Sequence, residues 1–377
     1  MILHSERVYL DGAFRPAYVV CENGRITDVT ADRPAGDVRE LGDTMVIPGL
    51  IDAHTHGAYG VDVNAAGPEE LRTIAKFFAT QGTTSWQASV LTDTEETTCE
   101  CLKAIQTVMQ EGSCGAQLMG AHLEGPFLAS AYKGAMPEHL LRKGDAALLR
   151  RYMHKFPGVV KYITVSPEVE GVPEMIAEVK DEVVVAIGHS GAEYALAMEA
   201  FAAGARCSTH TFNAMRQLHH HEIGIAGAAL ESDCFCEMIC DGRHLSPATV
   251  RLIIKCKGID KVMAVTDSIM AAGLPDGRYK LGVNDVVVID GDARLADKDV
   301  RAGSTLGSGQ GMRNLVKFTG RTLEEILPVL TANPARALRI DDRKGAIRTG
   351  MDADLVLLGD DLSIRETIVA GETVYCA

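Results

Sequence analysis

The chain has 377 residues, 46% of them hydrophobic, which is enough for one large domain with an accessory piece, or for two domains. Its formal net charge of −14 argues against a nucleic-acid or anionic-membrane surface, since both reward clustered Lys and Arg. No stretch approaches the roughly 18 uncharged apolar residues that a membrane span requires. We therefore expect no nucleic-acid and no membrane partner.

The N-terminus and the cysteines both predict a cytoplasmic protein. The opening stretch "MILHSERVYLDGAF" has charged residues by position 6 and lacks the apolar segment of a secretory signal. Three of the ten cysteines, Cys234, Cys236 and Cys240, cluster in "CFCEMIC" without a second CxxC to complete a metal site. We interpret them as reduced, buried thiols, which suit the cytosol.

Both ends of the chain are rich in strand patterns. The first 45 residues contain short strands with hairpin signals at Asp11-Gly12 and Asn23-Gly24. The C-terminal stretch "DADLVLLGDDLSIRETIVAGETVYCA" has a similar pattern. We predict that both ends combine into one small β-sandwich beside a catalytic domain. The predicted ranges are 1–47 and 345–377 for the sandwich and 48–344 for the catalytic domain.

The middle of the chain alternates between short apolar runs and amphipathic stretches. Stretches such as "PEELRTIAKFFATQG" and "GAEYALAMEAFAAGA" each close on Gly, which is typical of a helix C-terminus. Eight rounds of strand and helix predict an α/β fold, a TIM-like parallel (β/α)8 barrel. The eight predicted strands are residues 49–56, 83–90, 117–124, 159–165, 182–189, 205–210, 235–241 and 261–267.

Polar side chains with metal-binding or acid–base chemistry end most of these predicted strands. His54 and His56 face the same way because they lie two apart in a strand, and imidazole is the commonest metal ligand. Any one of these polar residues could instead be a hydrogen-bonded residue of the core. In this fold the active site lies at the carboxyl edge of the strands. The residues predicted at that edge are His54, His56, Glu124, His189, His210, Asp241 and Asp267.

Two or three histidines with a carboxylate suit a divalent ion in an open catalytic site. Such an ion polarises a carbonyl and lowers the pKa of water to about 7. A carboxylate beside that water can take its proton and later pass it to a leaving amine. We predict that Asp267 does so, with Asp241 as the next candidate and a turn or helix N-cap role as the structural alternative for Asp267.

Seven motifs occur in order along the chain: "PGLIDAHTHG", "HLEGPF", "GHS", "STHTFNAM", "DGRHLSP", "VTDSIMAAG" and "NPARAL…GAIRTGMDADLVLL". Together they resemble the N-acetylglucosamine-6-phosphate deacetylases of the amidohydrolase superfamily over essentially the whole chain. The resemblance implies that Glu124, His189 and His210 bind the primary metal and that His54 and His56 bind a second one. It gives the acid/base role to Asp267. It further implies that His244 contacts the sugar and that Asn213 and Ala214 contact the phosphate.

Three positions depart from the pattern of this family near the expected sugar pocket. His221 stands where the family has an arginine that contacts the 6-phosphate, often from a neighbouring subunit. Imidazole is a poorer phosphate ligand than a bidentate guanidinium. Met136 follows Ala135 of "YKGA" in place of Gln or His, and Leu306 lies in the altered stretch "GSTLGSGQG".

The resemblance implies deacetylation of N-acetyl-D-glucosamine 6-phosphate in amino-sugar catabolism, and a homo-oligomer, either a dimer or a tetramer. The alternatives are N-acetylgalactosamine 6-phosphate, an unphosphorylated N-acyl substrate, or a metal-binding homologue without activity. Arg216 or the histidine run 219–221 could replace the family arginine at the phosphate. The expected cofactor is one or two Zn²⁺ ions, with Fe²⁺, Mn²⁺ or Co²⁺ as alternatives.

Overall fold

In the computed structural model, which describes residues 1–377, the N-terminal segment forms the five strands of a β-rich layer. Its first hairpin turns at Asp11-Gly12, where both residues have positive φ (49° and 86°), as the predicted tight turn requires. The five strands are β1 (Ile2–Leu10), β2 (Ala13–Glu22), β3 (Arg25–Thr30), β4 (Val38–Glu40) and β5 (Met45–Pro48).

The middle of the chain forms an eight-stranded parallel barrel, whose strands pair in sequence order. Both faces of the sheet are covered, and every residue of its first two strands is buried. The barrel strands are β6 (Leu50–Thr55), β9 (Thr83–Leu91), β10 (Gln117–Glu124), β11 (Val160–Val165), β12 (Val184–Ile187), β13 (Cys207–Ser208), β14 (Phe235–Ile239) and β15 (Val262–Val265). A two-stranded ribbon, β7 (Gly57–Ala58) and β8 (Val61–Asp62), follows the first of them.

The barrel is nearly closed where its last strand meets its first. Beyond the end of β15, the backbone N–H of Asp267 donates to the carbonyl of His54 at 2.8 Å, and that of His56 donates to Ser268 at 2.7 Å. These bonds join the two strand ends that carry predicted site residues. The predicted TIM-like barrel is confirmed.

Amphipathic helices surround the barrel and cover its outer face. In α1, the buried residues Leu71, Ile74, Ala75 and Phe78 recur at helical spacing and face the sheet, where Phe78 meets the buried Trp86 edge-on. None of the helices is both long enough and apolar enough to cross a bilayer. The helices are α1 (Pro68–Thr80), α2 (Glu95–Glu111), α3 (Ala146–Lys155), α4 (Val172–Val179), α5 (Tyr194–Ala203), α6 (Gly224–Glu231), α7 (Pro247–Lys257), α8 (Ser308–Thr319), α9 (Leu323–Leu330) and α10 (Ala332–Ala337).

An antiparallel three-stranded sheet, which the sequence analysis did not predict, follows the last barrel strand. Its strands are β16 (Gly277–Leu281), β17 (Asn284–Ile289) and β18 (Asp292–Leu295). Val286 and Val288 of this sheet pack with Leu128 and Met136, which belong to the loop after β10. The small sheet therefore lies over the carboxyl edge of the barrel.

The C-terminal strands complete the sheet that the N-terminal strands begin. They are β19 (Leu355–Leu358), β20 (Ile364–Val369) and β21 (Glu372–Cys376). Strand β19 pairs with β5, so the sheet runs in the order β21-β20-β19-β5-β1-β2-β3, with β4 beside β1. The predicted joining of both chain ends in a separate β domain is confirmed, and its strands form one mainly antiparallel sheet. The domain limits at residues 47/48 and 344/345 stay a prediction.

Several barrel strands are shorter at their carboxyl ends than predicted. The predicted strands 182–189 and 205–210 shrink to Val184–Ile187 and Cys207–Ser208. The physical reason is backbone conformation, because His189 and His210 adopt positive φ values of 47° and 27°, outside the extended region. Both strands therefore end just before His189 and His210, the predicted metal ligands.

Candidate metal centre and substrate cavity

Six predicted site residues meet at the carboxyl edge of the barrel. His54 lies in β6, His56 follows it, and Glu124 ends β10. His189, His210 and Asp267 each lie two residues beyond a strand, in the left-handed region that non-glycine residues rarely adopt. Three unusual backbone conformations at these positions indicate that the surrounding structure enforces the direction of the side chains.

The six side chains form two groups with the composition of metal sites. His54, His56 and Asp267 make one group, and Glu124, His189 and His210 make the other. Within each group the potential ligand atoms lie within 4.8 Å of one another, and all six residues are buried. We refer to them as the first group (Glu124, His189, His210) and the second group (His54, His56, Asp267).

Glu124 lies between the two groups and faces both. Its Oε1 lies 3.0 Å from Nε2 of His189 and 3.2 Å from Nε2 of His210. Its Oε2 lies 3.2 Å from Nε2 of His56, which belongs to the second group. Each group would therefore have one oxygen of this carboxylate within reach if it held an ion.

The hydrogen bonds of the imidazoles test whether these groups suit a cation. Nδ1 of His54 faces a carboxylate oxygen of Glu237, and Nδ1 of His56 and of His189 face backbone carbonyls, at 2.9–3.0 Å. These oxygens only accept, so each Nδ1 carries a proton and each Nε2 is left facing the other side chains of its group.

The Nε2 atoms within each group lie close together. Nε2 of His54 lies 3.2 Å from Nε2 of His56, and Nε2 of His189 lies 3.1 Å from Nε2 of His210, whose own Nδ1 has no hydrogen-bond partner. Imidazole nitrogens crowded together beside carboxylates require positive charge between them, from protons or from a bound cation. Both groups therefore fit a divalent ion bound by nitrogen and oxygen.

The pKa shifts of the second group have the same electrostatic cause. Burial alone would lower the pKa of His56, but hydrogen bonds to Asp267 and Glu124 raise it to about 9. Burial alone would raise the pKa of Asp267, but the facing imidazoles of His56 and His54 lower it to about 2. Asp267 is therefore ionised at neutral pH and can accept a proton.

All members of these two groups except His54 form the bottom of a cavity of about 530 Å³. We define the cavity floor as His56, Glu124, His189, His210 and Asp267. We define the outer wall as the lining residues from two segments, 130–136 and 298–303. Of the predicted substrate contacts, those that line this cavity are Ala135, Met136, Asn213, Ala214 and His244.

Asp241, the alternative acid/base candidate, does not line the cavity but orients a residue that does. Its Oδ2 accepts a hydrogen bond from Nδ1 of His244 at 2.7 Å, and its Oδ1 accepts from the backbone N–H groups of Arg243 and His244. Nδ1 of His244 is thereby occupied, so its Nε2 remains for a ligand in the cavity.

The predicted phosphate contacts lie in a turn directly after His210. Asn213 donates from its backbone N–H and its side-chain amide to the carbonyl of His210, at 2.9 and 3.2 Å. Ala214 has a positive φ of 48°, and its backbone N–H donates no hydrogen bond within the chain. This free N–H at the cavity surface can bind an anionic oxygen.

With this geometry established, comparison with known proteins identifies the family. The sequence profile of the amidohydrolase family matches residues 45–374. The chain belongs to the amidohydrolase family. The resemblance drawn from the seven motifs is likewise confirmed by relatives that cover most of this amidohydrolase.

Among those relatives, the N-acetylglucosamine-6-phosphate deacetylase of Bacillus subtilis is 35% identical over 95% of this chain and 92% of its own length. The N-acetylgalactosamine-6-phosphate deacetylase of Escherichia coli O157:H7 is also 35% identical, over 89% of each chain. A mutant of the Mycobacterium smegmatis N-acetyl-D-glucosamine-6-phosphate deacetylase, solved in complex with N-acetyl-D-glucosamine 6-phosphate, superposes with a TM-score of 0.93 at 34% identity over 99% of both chains.

Three residues discussed in the sequence analysis lie away from the cavity of this amidohydrolase. Leu306 was expected to border the sugar pocket, but it is buried with Ile51 and Val265 in the barrel core. His221 is exposed and its ring lies tilted against that of His220, with ring centres 4.0 Å apart.

Arg216, the suggested replacement cation, also does not line the cavity and pairs with Glu222. Its guanidinium charge is already neutralised by that carboxylate. Within a single copy of this chain, neither Arg216 nor His221 is placed to hold a phosphate group.

The sequence analysis missed three basic residues of the outer wall. The ammonium of Lys133 donates to the carbonyl of Met136 at 2.8 Å, Lys298 forms no ion pair, and Arg301 pairs with Asp292 at 2.8 Å. Lys133 stands in the quoted "YKGA" motif and could have been noticed there. Lys298 and Arg301 follow β18, in a segment whose place over the barrel has no sequence signature.

The sequence pattern also gives no indication of the polar residues that hold the histidines. His122 points into the barrel two residues before Glu124, and both its ring nitrogens contact hydroxyl groups, of Ser89 and Thr164, at 2.8 Å. Burial lowers the pKa of His122 well below its ordinary value, so it is neutral. Glu237, in the middle of β14, contacts His54 from below.

Proposed function

We propose that this amidohydrolase hydrolyses the acetamide of N-acetyl-D-glucosamine 6-phosphate, giving D-glucosamine 6-phosphate and acetate. The observation that carries the proposal is the polarity of the cavity. Its floor has side chains of two potential metal-binding groups, among them an ionised aspartate. Its outer wall has lysines without carboxylate partners. A substrate with an amide at one end and an anion at the other matches both surfaces.

We infer that Glu124, His189 and His210 hold the principal ion and that His54 and His56 hold a second one. A divalent ion in this position supplies a Lewis acid for the amide carbonyl and makes water acidic near neutral pH. The nitrogen and carboxylate donors favour Zn²⁺, and Fe²⁺, Mn²⁺ and Co²⁺ accept the same ligand types.

Asp267 is the proposed general base and general acid. Its carboxylate takes one proton from the attacking water as the oxygen bonds to the acyl carbon. The same proton then passes to the sugar nitrogen as the carbon–nitrogen bond breaks, so that the amine leaves neutral together with acetic acid, which loses its remaining proton to solvent to give acetate. The lowered pKa of Asp267 fits the first step, which requires the ionised carboxylate.

Two lysines of the outer wall and the turn at Ala214 suit the phosphate end of the proposed substrate. The free backbone N–H of Ala214 and the ammonium groups of Lys133 and Lys298 offer donors to a dianion. His244, fixed by Asp241, supplies a donor or acceptor for a sugar hydroxyl between the two ends.

N-acetyl-D-galactosamine 6-phosphate is the second candidate substrate. The Escherichia coli O157:H7 relative named for that activity is as similar to this chain, at 35% identity, as the Bacillus subtilis relative named for the glucosamine epimer. The two sugars differ only in the direction of the 4-hydroxyl, so the metal chemistry is the same for both.

The exposed position of His221 is compatible with its expected contact to a neighbouring subunit, so we propose a homo-oligomer, a dimer or a tetramer. All ten cysteines are free thiols, which suits the reducing cytoplasm that we propose as its compartment.

A hydrolysis panel tests the proposal. Purified protein loaded with Zn²⁺ is assayed for acetate release from N-acetylglucosamine 6-phosphate, N-acetylgalactosamine 6-phosphate and both sugars without phosphate. We expect the highest kcat/KM with N-acetylglucosamine 6-phosphate. Equal efficiency with the unphosphorylated sugar would contradict the assignment of the wall, and a preference for the galactosamine epimer would select the second candidate.

A further inference from the structure

Glu237 is a buried carboxylate that neither lines the cavity nor belongs to either metal group. It lies in β14 between Phe235 and Ile239, which face the barrel core, so its side chain points into the barrel interior. Its exposed fraction is 0%. A carboxylate in such surroundings is costly unless hydrogen bonds compensate for the lost water.

Each oxygen of this carboxylate accepts hydrogen bonds from the residues that surround the metal groups. Oε1 accepts from the hydroxyl of Tyr162 at 2.6 Å. Oε2 accepts from Nδ1 of His54 at 3.0 Å and from the backbone N–H of His210 at 2.9 Å. Glu237 therefore contacts one residue of each metal group from the side opposite the cavity.

The contact with His54 has a chemical consequence. Because a carboxylate only accepts, it holds the proton of His54 on Nδ1 and leaves Nε2 free to bind an ion. A carboxylate behind an imidazole also raises the basicity of the ligating nitrogen, and the loss of such a partner typically weakens metal binding by about 10–100-fold. The contact with His210 reaches only the backbone, so it fixes position without changing the ligand nitrogen.

We propose that Glu237 is the positioning residue of the second metal group, and that through Nδ1 of His54 it sets the affinity of that group for its ion. The inference rests on the proposed function, because it requires that His54 binds a divalent ion. Its distinctive consequence is selectivity, since a change at Glu237 should weaken the second ion much more than the first.

The test compares Glu237→Gln with the native chain. The amide preserves the shape and can still accept a hydrogen bond, but it carries no charge. After dialysis against buffered Zn²⁺, the metal content and the dissociation constants of both ions are measured by competition with a chromogenic chelator. We expect binding of the second ion to weaken by about 10–100-fold and binding of the first to stay within about threefold.

Two control variants separate positioning from general damage. Tyr162→Phe removes the other hydrogen bond of Glu237 but keeps its contact with His54, and should bind both ions normally. In a His54→Ala background, Glu237→Gln should cause no further loss at the second group, because the ligand through which it acts is gone. Equal weakening of both ions, native affinity for both, or additive losses in the double variant would each overturn the proposal.

A measurement on the native protein covers the case in which Glu237→Gln does not fold. The nitrogen-15 NMR spectrum of the zinc-loaded chain, assigned through His54→Ala, reports which ring nitrogen of His54 holds the proton. Protonated Nδ1 is expected, and protonated Nε2 would overturn the proposal. Neither metal binding nor tautomer involves the sugar, so failure of all sugars in the hydrolysis panel would refute the proposed function alone.

Discussion

The floor and the outer wall of the cavity are built from different parts of the fold. Each floor residue lies at or within two residues of the end of a barrel strand, held by the parallel sheet and by buried hydrogen bonds. The wall comes from two loop segments, one after β10 and one after the added sheet β16–β18. The floor therefore has little freedom to change, while the wall can vary without disturbing the barrel.

The two regions also differ in charge. The floor combines carboxylates with histidines, and its geometry is that of a cation site. The wall presents Lys133, Lys298 and Arg301 to the same space. This separation leads to a general expectation: changes in the floor should abolish chemistry for every substrate, and changes in the wall should alter KM for phosphorylated substrates alone.

The largest expected effect is that of His210→Ala in the floor. Removal of this imidazole leaves the first group with one nitrogen and one carboxylate ligand, so the principal ion should be lost together with measurable turnover. Metal analysis of protein purified without chelator should show about one equivalent less than the native chain. His154→Ala, which removes an exposed histidine of α3 outside the cavity, is the matched control. Full metal occupancy with native activity would refute the assignment of the first group.

Asp267→Asn should abolish turnover while the ions stay bound through the other ligands. The amide has nearly the same shape but cannot accept the proton of water, and general acid–base groups contribute about 10²–10⁴-fold. We expect kcat to fall by that factor for all substrates. Asp233→Asn, at an exposed aspartate that pairs with Lys261, should leave kcat unchanged. A variant within tenfold of the native kcat would assign proton transfer to another group.

The contrast between floor and wall also explains what the sequence could predict. Strand patterns place residues such as His189 at a known edge of a known fold, so the floor could be predicted residue by residue, together with the eight strands. Loop segments have no such register, so the positions of Lys298 and Arg301 could not be derived. Leu306 was expected near the sugar because of a local motif change, yet the chain buries it in the barrel core.

The added sheet and Glu237 were missed for other reasons. The valine-rich stretch that forms β17 is short and antiparallel, and nothing in its pattern indicates that it packs over the barrel. Glu237 lies inside an apolar strand, in a stretch whose pattern of Cys234, Cys236 and Cys240 indicates buried thiols. A charged residue in the middle of a buried strand was the available signal, because such a residue requires partners.

In the wall, Lys298→Ala should raise KM for the 6-phosphate and leave kcat close to native. Lys298 has no carboxylate partner, so its full charge is available to a dianion. We expect KM to rise by about tenfold, which corresponds to about 1.4 kcal/mol of binding free energy. Lys317→Ala, at another exposed lysine that does not line the cavity, controls for the change in net charge. A fall in kcat with unchanged KM would place Lys298 outside the phosphate site.

The smallest expected effect is that of Arg301→Gln, although arginine is in general the stronger phosphate ligand. Nε of Arg301 donates to Oδ1 of Asp292 at 2.8 Å, and Arg294 contacts the same carboxylate at 2.9 Å. Much of its charge is therefore already satisfied, and the partly exposed pair is worth little to stability. We expect KM for the 6-phosphate to rise by about threefold or less, or about 0.7 kcal/mol. Assays of Arg301→Gln and Lys298→Ala side by side decide the point. A larger rise in KM for Arg301→Gln than for Lys298→Ala would contradict this expectation. It would mean that Arg301 leaves Asp292 and binds the phosphate when the substrate enters, so that its guanidinium moves instead of staying fixed.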